Sequence, residues 1–259
     1  ASASLVAGSP ANAANAALLV HYTFDGSDAT NSGTLGDGTS SGGSTYVASG
    51  VGPGAGNAWQ GNRTGANDAF IKTGATGDAL GFGAGGVYTA MAWVNWGGGV
   101  EGTSGDHMVF GQDDGAGNNA MLHHGIRDDS AVNIHFGGWG GPQDISDAGT
   151  VSTGTWTHVA WQYDGTNKNV YVDGVLSVSQ AGNNITDSSF NVLVGVHGRD
   201  SNLDPDPGNS FNGQLDDVRI DDEALDASGI LAARNSVIPE PSTLGLLGLA
   251  GLGLIRCRR

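Results

Sequence analysis

Residues 155–179 read TWTHVAWQYDGTNKNVYVDGVLSVS, and this stretch decides the fold. Thr157, Val159, Trp161 and Tyr163 fall on one side of an extended chain, with Trp156, His158, Ala160 and Gln162 on the other. A two-residue period belongs to a strand, not to a helix. Asp164-Gly165-Thr166-Asn167 turns the chain, and residues 168–172 return as a second strand. Asp173-Gly174 then has the composition of a two-residue type I′ hairpin, whose central positions both need positive φ. Residues 175–179 complete a three-strand antiparallel meander.

Similar short runs flank it, at 17–24, 69–73, 88–96, 107–112, 120–127, 131–136, 191–196 and 211–221. About ten to twelve short strands separated by Gly, Asn, Asp and Ser turns predict an all-β sandwich, jelly roll or barrel. One short helix is expected over 226–235, with Asp226 as its N-cap and Gly229 weakening it. Composition agrees. Among 259 residues there are 46 glycines and 23 aspartates, against three glutamates (Glu101, Glu223, Glu240) and two lysines. Glutamate and lysine, both good helix formers, are scarce, and turn residues are abundant.

The charge balance excludes a partner class. Twenty-six acids against ten bases give −16, without the basic footprint that nucleic-acid binding requires. The single cysteine, Cys257, permits neither an intrachain disulfide nor a CxxC redox or metal motif.

Three segments divide the chain. Residues 1–17 are small and uncharged; Ala11-Asn12-Ala13 and Ala14-Asn15-Ala16 fit either a signal-peptide remnant or a linker. Residues 18–236 hold the strands. Residues 237–259 carry Pro239-Glu240-Pro241-Ser242, an apolar run over 243–255, and a basic end containing Arg256, Arg258 and Arg259. A short hydrophobic helix is expected there. Thirteen residues make ~20 Å of helix, short of the ~30 Å bilayer core, so the tail inserts transiently while its arginines stay cytoplasmic.

Those residues resemble a PEP-CTERM sorting tail. The resemblance implies export to the cell surface or extracellular matrix of a Gram-negative bacterium, and processing by an exosortase-type enzyme. A second resemblance rests on LVHYTFDG (19–26), TAMAWVNW (89–96), THVAWQYDGTNKNVYVDGVL (157–176) and FNGQLDDVRIDDEALDASGI (211–230). These segments are similar to the laminin-G-like, concanavalin A-like lectin/glucanase superfamily. That implies a two-sheet antiparallel jelly roll, with six or seven strands in each sheet.

Several chemistries can be weighed. The glucanase branch of the resembled superfamily uses a Glu-x-Asp-x-x-Glu strand, because a retaining glycosidase needs two carboxylates ~5 Å apart. The three glutamates here are isolated, so no catalytic residue is assigned and the chain is read as a non-enzyme. Gly38-Thr39-Ser40-Ser41-Gly42 matches G-x-S-x-G, but it sits in a Gly/Ser-rich stretch read as a loop, without the strand and helix of a nucleophile elbow. The adjacent His123 and His124 point to opposite faces of a strand, which argues against a shared zinc site and leaves a single exposed imidazole for a binding groove. The resemblance implies a structural Ca²⁺ near the meeting of first and last strands, with Asp216 and Asp25 as ligands; hard cations favour such oxygen donors. For carbohydrate, a sugar face stacks on an aromatic ring beside polar groups. Trp139, held among glycines, is the first choice, with Trp96, His123, Arg127 and His135 as neighbours.

The leading expectation is therefore an exported, non-catalytic binding or adhesion module for extracellular polysaccharide or a surface protein. The alternative is a structural subunit that polymerises by adding its N-terminal segment to a neighbour's sheet. A glycoside hydrolase ranks behind both.

Overall fold

The computed structural model describes residues 17–41, 43–63, 69–99, 105–113, 121–129, 131–137, 144–184, 189–198 and 209–237, and the backbone of 205–206. The N-terminal segment expected to add to a neighbour, the apolar tail helix, the Pro239-Glu240-Pro241 motif with Arg256, Arg258 and Arg259, and Trp139 all lie outside the described residues. Among the described residues, no helix is long and apolar enough to cross a membrane.

The strands are β1 (Leu18–Tyr22), β2 (Thr39–Ser41), β3 (Thr45–Ala48), β4 (Asn57–Gln60), β5 (Phe70–Thr76), β6 (Tyr88–Trp96), β7 (Asp106–Gln112) and β8 (Leu122–Arg127). They continue as β9 (Asn133–Gly137), β10 (Trp156–Tyr163), β11 (Asn167–Val172), β12 (Val175–Ala181), β13 (Asn191–Val194), β14 (His197–Gly198), β15 (Pro205–Asp206) and β16 (Gly213–Asp221). One helix, α1 (Ala227–Ser236), follows. An eight-stranded sheet runs β12-β11-β10-β6-β16-β4-β3, with β1 also beside β16. A six-stranded sheet runs β2-β5-β13-β7-β8-β9, and β14-β15 form a small hairpin. All pairings are antiparallel, and the fold is a β-sandwich.

The expected meander is β10-β11-β12, and Asp173 (φ 51°) and Gly174 (φ 82°) make its left-handed turn. Both faces of β10 are covered. Val159, Trp161 and Tyr163 enter the core between the sheets, while Ala160 joins Met91, Tyr171, Ile230 and Ala233 beneath α1. Asp226 caps α1, accepting a hydrogen bond from the Gly229 N–H (2.8 Å). The larger sheet exceeds the expected six or seven strands because the Gly/Ser-rich region folds into β3 and β4. Gly38–Gly42, expected as a loop, contains the short strand β2, with Ser40 Oγ hydrogen-bonded to Tyr46 Oη. Tertiary pairing overrides weak local propensity there.

Candidate functional site

Two clusters of functional side chains emerge, on different parts of the sandwich. The first lies where β16 changes partners. Gln214 and Leu215 pair with β4, whereas Val218–Asp221 pair with β1. Between them the register against β6 slips, and Asp217 adopts φ 48°. Such a bulge in a strand re-aims its side chains. The kink leaves Asp216 and Asp217 side by side on a pocket of about 400 Å³, lined also by His21, Thr23, Asp25 and Ser236. The sequence-predicted pair, Asp25 and Asp216, is thus brought to one pocket.

Asp216 is buried. Its carboxylate accepts hydrogen bonds from Ser49 Oγ–H (2.5 Å) and from the Asp217 N–H (2.8 Å). Burial raises its pKa from 3.8 to about 7; the two hydrogen bonds oppose that rise, and the neighbouring Asp217 and Asp25 add to it. Asp217 Oδ1 pairs with His21 Nε2, but its Oδ2 is buried without a hydrogen-bond partner. Gly56 (φ +68°) makes room for Asp25, since a Cβ there would overlap Asp25 Oδ1. Among the described residues, no group of three His, Cys, Asp or Glu side chains is arranged to hold a metal ion. The donor set nonetheless suits a hard cation in its chemistry: three carboxylates and an unpartnered carboxylate oxygen.

Sequence reading missed His21, Asp217 and Ser32. Ser32 Oγ lies 2.8 Å from His21 Nδ1, so Ser32, His21 and Asp217 form a relay that resembles a catalytic triad. An acyl-transfer site also needs free N–H groups to receive an oxyanion. The Ser32 N–H donates to His21 O (3.1 Å), and the Gly33 N–H to Asn31 Oδ1 (2.9 Å). These two N–H groups are thus engaged within the β1 loop.

The second cluster occupies the outer face of β8 and β9. Leu122, His124 and Ile126 point to the core, where Tyr88 Oη lies 2.8 Å from His124 Nε2. His123, Gly125 and Arg127 point outward. His123 sits between Gly111 and Gly137 on the adjacent strands, and His135 faces Gly125. Both imidazoles are buried, which corrects the expectation of an exposed histidine in a groove. His123 Nε2 lies 2.8 Å from His197 Nε2, which is 3.8 Å from Asp113 Oδ2. Burial lowers the His123 pKa well below 6.5, and the charges of His197 and His135 lower it further. Burial, then Arg127 and Lys168, brings His135 to about 3.

Arg127 stands apart. It lies four residues, ~13 Å of strand, from His123. Its Nε is 2.5 Å from Asp106 Oδ1 and 3.7 Å from Asp129 Oδ2. With Asp129, Ala131, Asn133, Ser146 and Asp147 it lines an open cleft of about 290 Å³ at the β8–β9 turn. Trp96 is on the other sheet, 4% exposed, with its ring edge-on to His107 at 5.5 Å. It faces the core with Tyr88, Ala90, Ala92 and Val94, so it offers no stacking surface. The alternation along β6 carried that signal. The predicted sugar-binding set is therefore split: Arg127 lines a cleft, and His123, His135 and Trp96 are interior.

A family profile described as the concanavalin A-like lectin/glucanases superfamily matches residues 66–231. The chain belongs to that superfamily. A second profile, the PEP-CTERM protein-sorting motif, matches residues 237–259 and marks the chain for export and surface sorting in bacteria. No curated protein matches the sequence. Among solved structures, this superfamily member is similar to domain 4 of AbnA, a GH43 extracellular arabinanase from Geobacillus stearothermophilus, solved with arabinotriose. The identity is 23% and the TM-score 0.59, covering 85% of this chain and 98% of that one. It is also similar to a chain of botulinum neurotoxin type C, a toxin that depends on two ganglioside molecules to enter cells. There the identity is 12% and the TM-score 0.60, covering 85% of this chain and 51% of that one. The binding domain of Paraclostridial Mosquitocidal Protein 1 gives 15% identity and a TM-score of 0.54, covering 77% and 47%. At these identities the likeness shows the fold.

Proposed function

We propose that this protein is an exported, non-catalytic module that binds a neutral extracellular glycan on the surface of a Gram-negative bacterium. The observation that carries the reading is the cleft at the β8–β9 turn. It sets donors from Arg127, Asn133 and Ser146 beside acceptors from Asp129 and Asp147. Sugar hydroxyls both donate and accept, so they match such a mixed lining. A neutral ligand suits the chain better than an anionic one, which a charge of −16 would repel. Trp139, which lies outside the described residues, is the candidate for stacking on a sugar face. The arabinotriose held by domain 4 of AbnA makes oligosaccharides the first ligands to try. Exosortase-type processing at Pro239-Glu240-Pro241, with the terminal arginines retained in the cytoplasm, would deliver the module to the surface or matrix.

The test is calorimetric titration of the full chain with neutral oligosaccharides and with exopolysaccharide from the producing organism. Saturable binding should weaken about tenfold, ~1.4 kcal/mol, in Asn133→Ala and in Trp139→Ala, with unchanged melting temperature. Absence of binding to every glycan by a folded chain would refute the reading.

Calcium is proposed as a structural ion at the other cluster. Asp216 and Asp25 would be its carboxylate ligands, and its charge would offset the repulsion they share with the neighbouring Asp217. Calcium should then raise the melting temperature, EDTA should reverse the rise, and Asp216→Asn should abolish it. A wild-type melting temperature indifferent to calcium would overturn the assignment.

A further inference from the structure

We propose that the start of the sorting tail belongs to the carboxylate pocket: a divalent cation held by Asp25 and Asp216 also engages Ser236 and Val237, so its occupancy controls how open the tail is to a processing protease. This rests on the calcium reading of the pocket and goes beyond it, making the ion a control on sorting. Three distant parts of the chain meet at the pocket. His21 and Asp25 come from β1 and the loop after it, Asp216 and Asp217 from the β16 kink, and Ser236 and Val237 from the end of α1. Val237 is also the first residue matched by the sorting motif. Pro239 follows two residues later, within ~7 Å of extended chain.

Packing fixes the end of α1 there. Ile230 and Ala233 join Met91, Ala160 and Tyr171 in a small apolar cluster. The Arg234 guanidinium lies over the Trp93 ring, 5.0 Å from its centroid, and pairs with Asp173 at 3.4 Å. Trp93 stands directly opposite Asp216 on β16 and His158 on β10. Residues directly opposite share a face of the sheet. Asp216 is therefore the next position in the row that the last turn of α1 covers.

The electrostatics of this joint call for a cation. Asp217 is 3% exposed, and its Oδ2 is buried without a hydrogen-bond partner. Asp25 and Asp216 add two further carboxylates. The C-terminus of a helix brings the negative end of its dipole. The base in the last turn, Arg234, is engaged with Trp93 and Asp173 instead, and His21 faces Asp217 alone.

The same place offers the oxygens such an ion still needs. Calcium takes about six to eight, and two carboxylates supply no more than about four. The Ser236 Oγ–H donates to Ala233 O (2.6 Å), so its lone pairs stay open to a cation. Helices are commonly closed by a left-handed residue that satisfies their last carbonyls. Val237 is right-handed (φ −81°, ψ −25°), so α1 ends without that closure.

Proteolysis of a folded chain proceeds through locally opened forms and follows their population. An ion that ties Ser236 and Val237 to β16 lowers that population beside Pro239-Glu240-Pro241. Its loss leaves like charges at the joint and frees the segment.

The experiment is limited proteolysis of the full chain in a mild detergent, with calcium or with EDTA, using a broad-specificity serine protease and mapping the cuts by mass spectrometry. Calcium should slow cleavage within 236–242 about tenfold and slow amide exchange over 231–237, with exchange over 122–127 as the reference for global stability. Ser236→Ala should raise the calcium concentration for half-maximal protection about tenfold and leave the melting temperature in EDTA unchanged. Asp216→Asn should abolish the protection. A wild type whose melting temperature ignores calcium would refute the calcium reading and this inference with it. If calcium raises the melting temperature but leaves cleavage at 236–242 and exchange over 231–237 unchanged relative to the reference, this inference alone is overturned.

Discussion

The carboxylate pocket and the histidine face are built on opposite plans. At the pocket the chain gathers like charges by distorting a strand: β16 slips its register and Asp217 takes φ 48°. Between β8 and β9 the register holds throughout, with a bulge only at Met108–Phe110 of β7 against β8, and imidazoles are housed by alternating with glycine across the sheet. The pocket concentrates charge, whereas the histidine face excludes it. A kinked, half-open pocket can be relieved by a cation. A buried ladder of neutral rings can accept protons only as the fold gives way.

Acid gives the largest test of this contrast. His135 of the histidine face is lowered from 6.5 to about 3, chiefly by burial, as are the buried His107 on β7 and the buried His158 on β10 of the other sheet. A depressed base contributes stability that is present above 6.5 and is lost as pH falls through the folded value. Each one withdraws about 1.4 kcal/mol per pH unit in that window. Asp216 acts oppositely: raised from 3.8 to about 7, its contribution is full below 3.8 and lost as pH rises through 7. Three histidines outweigh one aspartate, so the melting temperature should fall steadily below pH ~6.5. Melts that rise on acidification would show that the carboxylates dominate and would break the comparison.

Glycine substitutions probe the regular strands next. Gly125→Ala would drive a Cβ into His107 O and within 2.8 Å of Met108 Cα, both backbone atoms. It should cost about 3 kcal/mol by chemical denaturation. Gly137→Ala meets the carboxyl end of Asp144, a side chain that can turn aside, and should cost less. Equal costs would mean that the adjacent backbone yields as readily as a side chain.

The pocket should respond more mildly. Gly56→Ala, at positive φ and against Asp25, should cost about 1 kcal/mol or more and weaken any calcium effect. Asp216→Asn should also remove the calcium effect, but it should stabilise the metal-free protein. In EDTA above pH 7 it removes an uncompensated buried charge, and stability should rise by about 1 kcal/mol. If stability falls there instead, the Ser49 and Asp217 hydrogen bonds outweigh the cost of burying the charge.

Much of the architecture was legible because its signals are local. The two-residue period over 156–163, the Asp173-Gly174 turn and the Asp226 cap each depend on neighbours in sequence. Strands β2, β3 and β4 were not legible: Thr39–Ser41 and its surroundings have turn composition, and they become strands only where β5 and β16 offer an edge. The site was read in pieces. Asp25 and Asp216 came through a resemblance and meet in one pocket. Trp96 was assigned to a ligand although its strand's alternation points it inward. His21 and Ser32 carried no signal, because their partnership with Asp217 spans most of the chain.

The sequence by itself determined an acidic, turn-rich, all-β chain with a sorting tail, since composition, short periodicities and a terminal motif need no long-range contact to be read. Only the tertiary structure decided which carboxylates crowd together, which histidines lose their water, and where α1 ends beside them. Each of these depends on residues far apart in sequence that packing makes adjacent, and burial alone turns an ordinary Asp or His into a group that responds to pH.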